Sequence, residues 1–296
     1  MPEIPDLDVY IDAINERLTD SRLQRMAIAS PFLLRTVEPK VEDLLGRRLV
    51  KCRRMAKQLV FQLEDDYAFV IHLMISGRLQ FSANYKPPPK RNGLAAFEFS
   101  AGTLIFTEVS KKKRASLRLV HGKEDLEALN PGGLEVQQAS LNEFDERLRS
   151  HNHTLKRALT DQRIFAGIGN AYSDEILLEA RLSPFKQSGR LKPDEVEALY
   201  LAIHKVLDTW RERLRDKAKG KFPTKVTAFH PEMKAHGKYR ESCLDCGAPI
   251  QRIVYAENEA NYCAKCQTAG KLLADRSLSR LLKDNWPKTL EDLETP

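Results

Sequence analysis

Four cysteines carry the plainest chemistry in this sequence of 296 residues. Cys243-x2-Cys246 is followed, after sixteen intervening residues, by Cys263-x2-Cys266. That is the spacing of a structural zinc site. Each pair falls in a tight turn, Cys246-Gly247 and Cys263-Ala264-Lys265-Cys266, and a strand-like stretch from Pro249 to Tyr255 joins them. Four thiolates converging on one Zn²⁺ would replace a core too small to form by itself. A closed four-thiolate site leaves no open position for substrate, so the expected ion is structural. Two disulfides are the alternative reading of the same pairs. The chain begins Met1-Pro2-Glu3-Ile4-Pro5-Asp6, acidic where a secretory signal would be basic, which argues for a reducing compartment and favours the metal. Cys52 lies in a strand-like region and reads as a core residue.

Charge is the second signal. The net charge is +7 with a pI near 9.1, a balance that suits a polyanionic partner. Between Arg211 and Arg240 there are ten Lys/Arg and three Asp/Glu, an excess equal to that of the whole chain. Lys111-Lys112-Lys113-Arg114 forms a second cluster. A solvated helix face and a polar turn would look the same; two clusters beside a metal motif favour phosphate binding. No apolar run reaches the roughly 18 residues of a membrane span, so none is expected.

These residues need a scaffold. Leu7, Tyr10, Ile11, Ile14 and Leu18 share one stripe and predict a helix over 6–19. Short apolar runs from about Val50 to Val120 read as strands, with Glu64-Asp65-Asp66 and Ala101-Gly102 as turns and Pro87-Pro88-Pro89 as a loop. Asn130-Pro131-Gly132-Gly133 is a strong break. Beyond it the pattern turns helical over 141–149, 154–160, 173–180 and about 193–215. Leu272, Leu273, Leu278, Leu281 and Leu282 could form a short helix docked on the finger.

Three separated features then converge: Met1-Pro2-Glu3 at the start, Lys57 in Met55-Ala56-Lys57-Gln58-Leu59, and the segment Gly167-Ile168-Gly169-Asn170-Ala171-Tyr172-Ser173-Asp174-Glu175 ahead of a basic zinc finger. Together they resemble the formamidopyrimidine-DNA glycosylase / endonuclease VIII family of base-excision repair enzymes. The resemblance covers residues 1 to about 267 and leaves the tail unmatched. It implies an α+β multidomain fold: a catalytic β-sandwich domain with an N-terminal helix over 1–130, a helix–two-turn–helix DNA-binding domain over 131–240, a four-cysteine zinc finger over 241–267 and a tail over 268–296. It also implies a bifunctional glycosylase and abasic-site lyase acting on oxidised bases in double-stranded DNA. The expected protein is a monomer in the bacterial cytoplasm, with a nuclear location as the alternative.

The chemistry suits the residues. Removal of Met1 would free the secondary amine of Pro2, and an α-amine with pKa near 8 is partly neutral at pH 7. Its attack on a sugar C1′ gives an iminium ion, an electron sink that drives base loss and then elimination of the 3′ phosphate. Glu3 is placed to move protons, and Lys57 to pair with a phosphate flanking a flipped nucleotide. Without the resemblance these three would be an ordinary start dipeptide, a first-turn acid and a strand-edge lysine. Gly167 to Asn170 ahead of a helix is a plausible phosphate cradle. The resemblance assigns phosphate contacts to Asn170 and Lys156 and places Glu175 near the active site.

Departures from the family pattern are specific. Asn258 stands five residues before the third cysteine, where the family has a phosphate-reaching arginine, and a neutral amide cannot form that bidentate contact. Ile75 stands where a gap-filling methionine is expected. Val109 to Ala115, with Lys113 and Arg114, replaces the family's aromatic wedge by a basic DNA-facing loop. The short run from Phe222 to His230 leaves little room for the loop that covers a flipped oxidised guanine, which leans the reading toward oxidised pyrimidines, ring-opened purines or hydantoins. A non-catalytic damage-binding module on the same fold is the main alternative, and a zinc-ribbon protein of RNA or ribosome assembly is the second.

Overall fold

The computed structural model describes residues 1–224, 226–255, 258–274 and 288–294. The chain divides into two compact units, one formed by Met1–Pro131 with Thr209–Ala228 and the other by Gly132–Asp208 with Phe229–Pro296.

Alternating and near-continuous apolar runs build the first unit. Helix α1 (Ile4–Leu18) opens it, two residues earlier than periodicity predicts, because Pro5 suits a first turn and the Asp6 carboxylate accepts the Glu3 N–H at 2.9 Å. Eight strands follow: β1 (Leu23–Ile28), β2 (Leu49–Met55), β3 (Gln58–Leu63), β4 (Tyr67–His72), β5 (Gly77–Ser82), β6 (Gly93–Phe99), β7 (Gly102–Glu108) and β8 (Ser116–His121). A four-residue helix, α2 (Val41–Leu44), lies between β1 and β2. The strands pair antiparallel in two four-stranded sheets, β1-β6-β7-β5 and β2-β3-β4-β8. The sheets pack face to face as a sandwich. Phe61 and Phe69 of one sheet stack with centroids 4.3 Å apart, and Phe69 meets Phe97 of the other at 5.0 Å. Leu7, Tyr10, Ile14 and Leu18 of α1 join this core. The outer face of β3 and β4 is covered as well, by α3 (Lys123–Glu127), with Val60, Ala68, Val70 and Leu126 in a second cluster. Strands buried on both faces read as apolar runs without alternation, which is how they stand in the sequence. β1 escaped the sequence reading because it lacks alternation, with Leu23 and Met26 alone buried in it.

The second unit is helical. Its elements are α4 (Leu141–Arg149), capped by Ser140 with Glu143, then α5 (Leu155–Thr160), α6 (Asn170–Glu179) and the first part of α7 (Pro193–Ala218). The last ten residues of α7 belong to the first unit. There Arg211 pairs with Asp8 at 2.8 Å and Arg215 with Asp12 at 2.7 Å, so two cations of the basic cluster are taken up by acids of α1. The finger is a hairpin, β9 (Ile250–Tyr255) against β10 (Asn258–Cys263), followed by α8 (Ala264–Thr268). Beyond it Lys271 bridges Thr289, and Leu272 is buried against Ile253 and Tyr262. Leu278, Leu281 and Leu282, which the expected tail helix required, lie outside the described residues.

Phe69 joins both sheets and is fully buried, so Phe69→Ala is expected to cost about 3–5 kcal/mol. Urea denaturation followed by a probe in the first unit measures it.

Candidate active site and metal centre

In the first unit the chain's start is taken out of water. Pro2 is buried, and Glu3, Asp6 and Lys57 are 2%, 1% and 6% exposed. Burial pushes the α-amine of Met1 below its ordinary value, and the nearby cations Lys57 and Arg78 push the same way. The carboxylates of Glu3 and Asp6 oppose them. A chain start buried with carboxylates and cations at hand is suited to nucleophilic attack and proton transfer.

Local backbone geometry sets this group. Lys57 sits in the two-residue turn between β2 and β3, where Met55 pairs with Gln58. Ala56 takes the left-handed conformation there, at φ 50°, which costs an L-residue roughly 1–2 kcal/mol. On the neighbouring β4–β5 turn, Met74 is also left-handed, at φ 51°. A Cβ on Gly77 would lie 2.2 Å from the Leu73 carbonyl oxygen, so only glycine fits. His72 Nδ1 accepts the Met74 N–H at 3.0 Å, which requires the neutral ring. Burial, with Lys57 and Arg118 close by, holds His72 down to about 4.

The tip of that turn carries Ile75, 58% exposed. It is tied to the loop 109–115 through Glu108, which is 1% exposed. The Glu108 carboxylate accepts the N–H groups of Arg114 and Ala115 and faces Ser76 Oγ at 3.4 Å. Of the expected DNA contacts on this loop, Lys113 turns its ammonium onto the Glu108 carbonyl, and Arg114 is exposed. Sequence reasoning passed over Glu108, although an acid two residues after the apolar run Leu104-Ile105-Phe106 was a signal.

The second unit holds Lys156 and Asn170. Lys156 is 1% exposed. Its Nζ donates to the Asn170 carbonyl at 2.6 Å and to Asp174 Oδ1 at 2.5 Å. This position differs from the expected phosphate contact: the lysine is spent inside, holding the hairpin that presents Asn170. Asn170 is the first residue of α6, with Gly169 as the cap. Gln162 brackets the turn before it, accepting from Gly167 N–H at 2.8 Å and donating to the Ile168 carbonyl at 2.7 Å. Glu175 is buried, and burial raises it although it accepts the N–H groups of Lys234, Ala235 and His236. Asn258 begins β10 and is exposed, opposite Tyr255.

The four cysteine sulfurs lie within 4.8 Å of one another. Cys246 and Cys263 are 3.4 Å apart and Cys243 and Cys266 4.0 Å, too far for the roughly 2.05 Å of a disulfide. Thiolates about 2.3 Å from a tetrahedral Zn²⁺ stand about 3.8 Å from each other, so the donor set fits one such ion. Among the described residues no other group of this kind gathers, and no helix is long and apolar enough to cross a membrane.

Comparison with known proteins gives one answer. Residues 1–114 match the family model of the formamidopyrimidine-DNA glycosylase N-terminal domain, and residues 129–217 that of the formamidopyrimidine-DNA glycosylase H2TH domain. The formamidopyrimidine-DNA glycosylase of Desulfitobacterium hafniense is 30% identical over 280 residues, which span 90% of this chain and 100% of that one. A structure of MutM in complex with DNA containing carbocyclic 8-oxo-G aligns at a TM-score of 0.79 and 26% identity, over 90% of this chain and 100% of that one. The Lactococcus lactis enzyme in complex with Fapy-dG-containing DNA aligns at 0.78 and 25%, with the same coverage.

The low pKa of His72 has a pH signature. Its folded value of about 4 lies below the ordinary 6.5, so the unfolded chain binds the extra proton first. The stability tied to the neutral ring is complete above pH 6.5 and is lost as pH falls toward 4. His72→Gln is expected to flatten that limb of a stability-versus-pH curve measured by urea titration.

Proposed function

The chain belongs to the formamidopyrimidine-DNA glycosylase family, and from that premise we propose that it is a DNA N-glycosylase with abasic-site lyase activity. The observation that carries this reading is the chain's start itself, where Pro2 is buried together with Glu3, Asp6 and Lys57. Removal of Met1 frees a different amine, the secondary amine of the buried Pro2. Its lone pair attacks C1′ of the damaged nucleotide, and the bond from C1′ to the base breaks with the base leaving protonated. The amine proton is lost, and ring opening gives an iminium at C1′. Loss of a C2′ proton then drives out the 3′ phosphate. Glu3 moves these protons. Lys57 holds a phosphate beside the flipped nucleotide and Asn170 one on the hairpin side. Lys113 and Arg114 add cations that meet the DNA backbone, and at Asn258 the absence of the family arginine weakens the grip. Lys156 acts by holding the hairpin rather than by touching DNA.

Cys243, Cys246, Cys263 and Cys266 would hold one Zn²⁺, which supplies folding energy to the finger when bound. The partner is duplex DNA carrying an oxidised base or an abasic site. Ring-opened purines are the substrate class shared by the Lactococcus relative's bound DNA and by the short 222–230 segment. The protein would act as a monomer in the compartment that holds the DNA.

Borohydride trapping on a duplex with one abasic site tests the mechanism. Wild-type protein whose mass shows Met1 removed should form a covalent adduct, and Pro2→Gly should reduce it at least tenfold. An undiminished adduct in the variant would remove Pro2 from its role. No adduct in the wild type would leave a damage-binding protein.

A further inference from the structure

Two successive carboxylates of α6 anchor the chain segments that lead into both halves of the metal site. Asp174 is 1% exposed and Glu175 6%. Asp174 Oδ2 meets His236 Nδ1 at 2.8 Å, seven residues before Cys243, and accepts from Asn261 Nδ2 at 3.3 Å, two residues before Cys263. Its other oxygen takes the Lys156 ammonium, which also holds the Asn170 carbonyl. Glu175 takes the three consecutive N–H groups of Lys234, Ala235 and His236. The apolar side of the finger, Cys243, Ile250 and Cys263, packs on Leu178 and Ala235 along the same face.

We propose that Asp174 is a positioning residue that makes metal binding by the four cysteines and ordering of the Gly167–Asn170 hairpin one coupled event. The argument is physical. A carboxylate this deep must be satisfied by several donors or it costs several kcal/mol. Here the donors come from α5, from the segment entering the first cysteine pair and from the strand entering the second. Any of those segments that leaves takes a donor from the buried charge. A metal that fixes the cysteines therefore fixes His236 and Asn261. Through Asp174 and Lys156 it also fixes the carbonyl of the residue that opens α6. Conversely, an ordered hairpin presents two finished anchors to the finger and raises its hold on the ion. Outer partners of this kind change metal affinity by about 10- to 100-fold. The coupling itself does not depend on DNA; its use in gripping phosphate rests on the function proposed above.

The full-length, zinc-loaded chain tests this with three readouts. Asp174→Asn alone leaves a buried ammonium unpaired and can unfold the unit. The double variant Lys156→Met/Asp174→Leu removes the knot without an orphan charge. Zinc transfer to a chromogenic chelator is expected to be at least about tenfold faster in the double variant than in the wild type. Hydrogen exchange of residues 167–173 should quicken when zinc is stripped from the wild type. In the double variant it should be fast already and change little on stripping. Strands β3 and β4 should keep their protection throughout, which separates a local effect from general loss of fold. Wild-type zinc release in the double variant, or a wild-type hairpin indifferent to stripping, would overturn the coupling. Affinity for an abasic-site duplex is the third readout, expected to fall about tenfold on stripping the wild type and to start at that lower level in the double variant. A wild type that binds no such duplex would instead overturn the proposed function, because the first two readouts contain no DNA.

Discussion

A carboxylate removed from water must be given donors, and among the described residues of this protein each buried carboxylate organises a site. Glu3 and Asp6 stand beside the chain's start. Glu108 joins two loops of the sandwich by accepting N–H groups from one and facing a hydroxyl of the other. Asp174 and Glu175 gather a lysine, a histidine, an asparagine and three backbone N–H groups around α6. The apolar cores around them are ordinary in composition. They supply the rigidity that makes such partners hard to exchange, because a side chain with a single place to pack cannot follow a donor that moves.

The sequence made the architecture legible where periodicity was strong. The stripe from Leu7 to Leu18, the strand runs after Val50 and the long apolar face of α7 all stand close to where the residues alone place them. The cysteine spacing foretold the cluster, since four donors at that separation have few arrangements that avoid one another. Strand β1 was not legible, because its exposed and buried residues do not alternate. Nor was the pairing of Arg211 and Arg215 with Asp8 and Asp12, which spans about two hundred residues of chain.

Individual site residues were legible in type more often than in orientation. Lys57 stands in a short motif that singled it out, and it lies near the chain's start. Lys156 was named only through the family resemblance, and nothing in a sequence says whether a lysine points out toward a phosphate or inward toward an acid eighteen residues away. Glu108 and Gln162 do their work through backbone groups of neighbouring loops, a role that leaves no spacing to recognise. Helix periodicity reports which face is buried, and it is silent about which polar group is enclosed with it.

The left-handed turn at Ala56 has a consequence for any attempt to improve this protein by selection. A glycine there would relieve the steric clash between Cβ and the following carbonyl. It would also widen the set of backbone states open to the turn, and Lys57 is the next residue. Heat tolerance and the fixed aim of that ammonium therefore pull on one position in opposite directions. Under the role proposed for Lys57, a library screened for thermal survival alone would drift toward the relaxed turn, and one screened for turnover would hold the strained one.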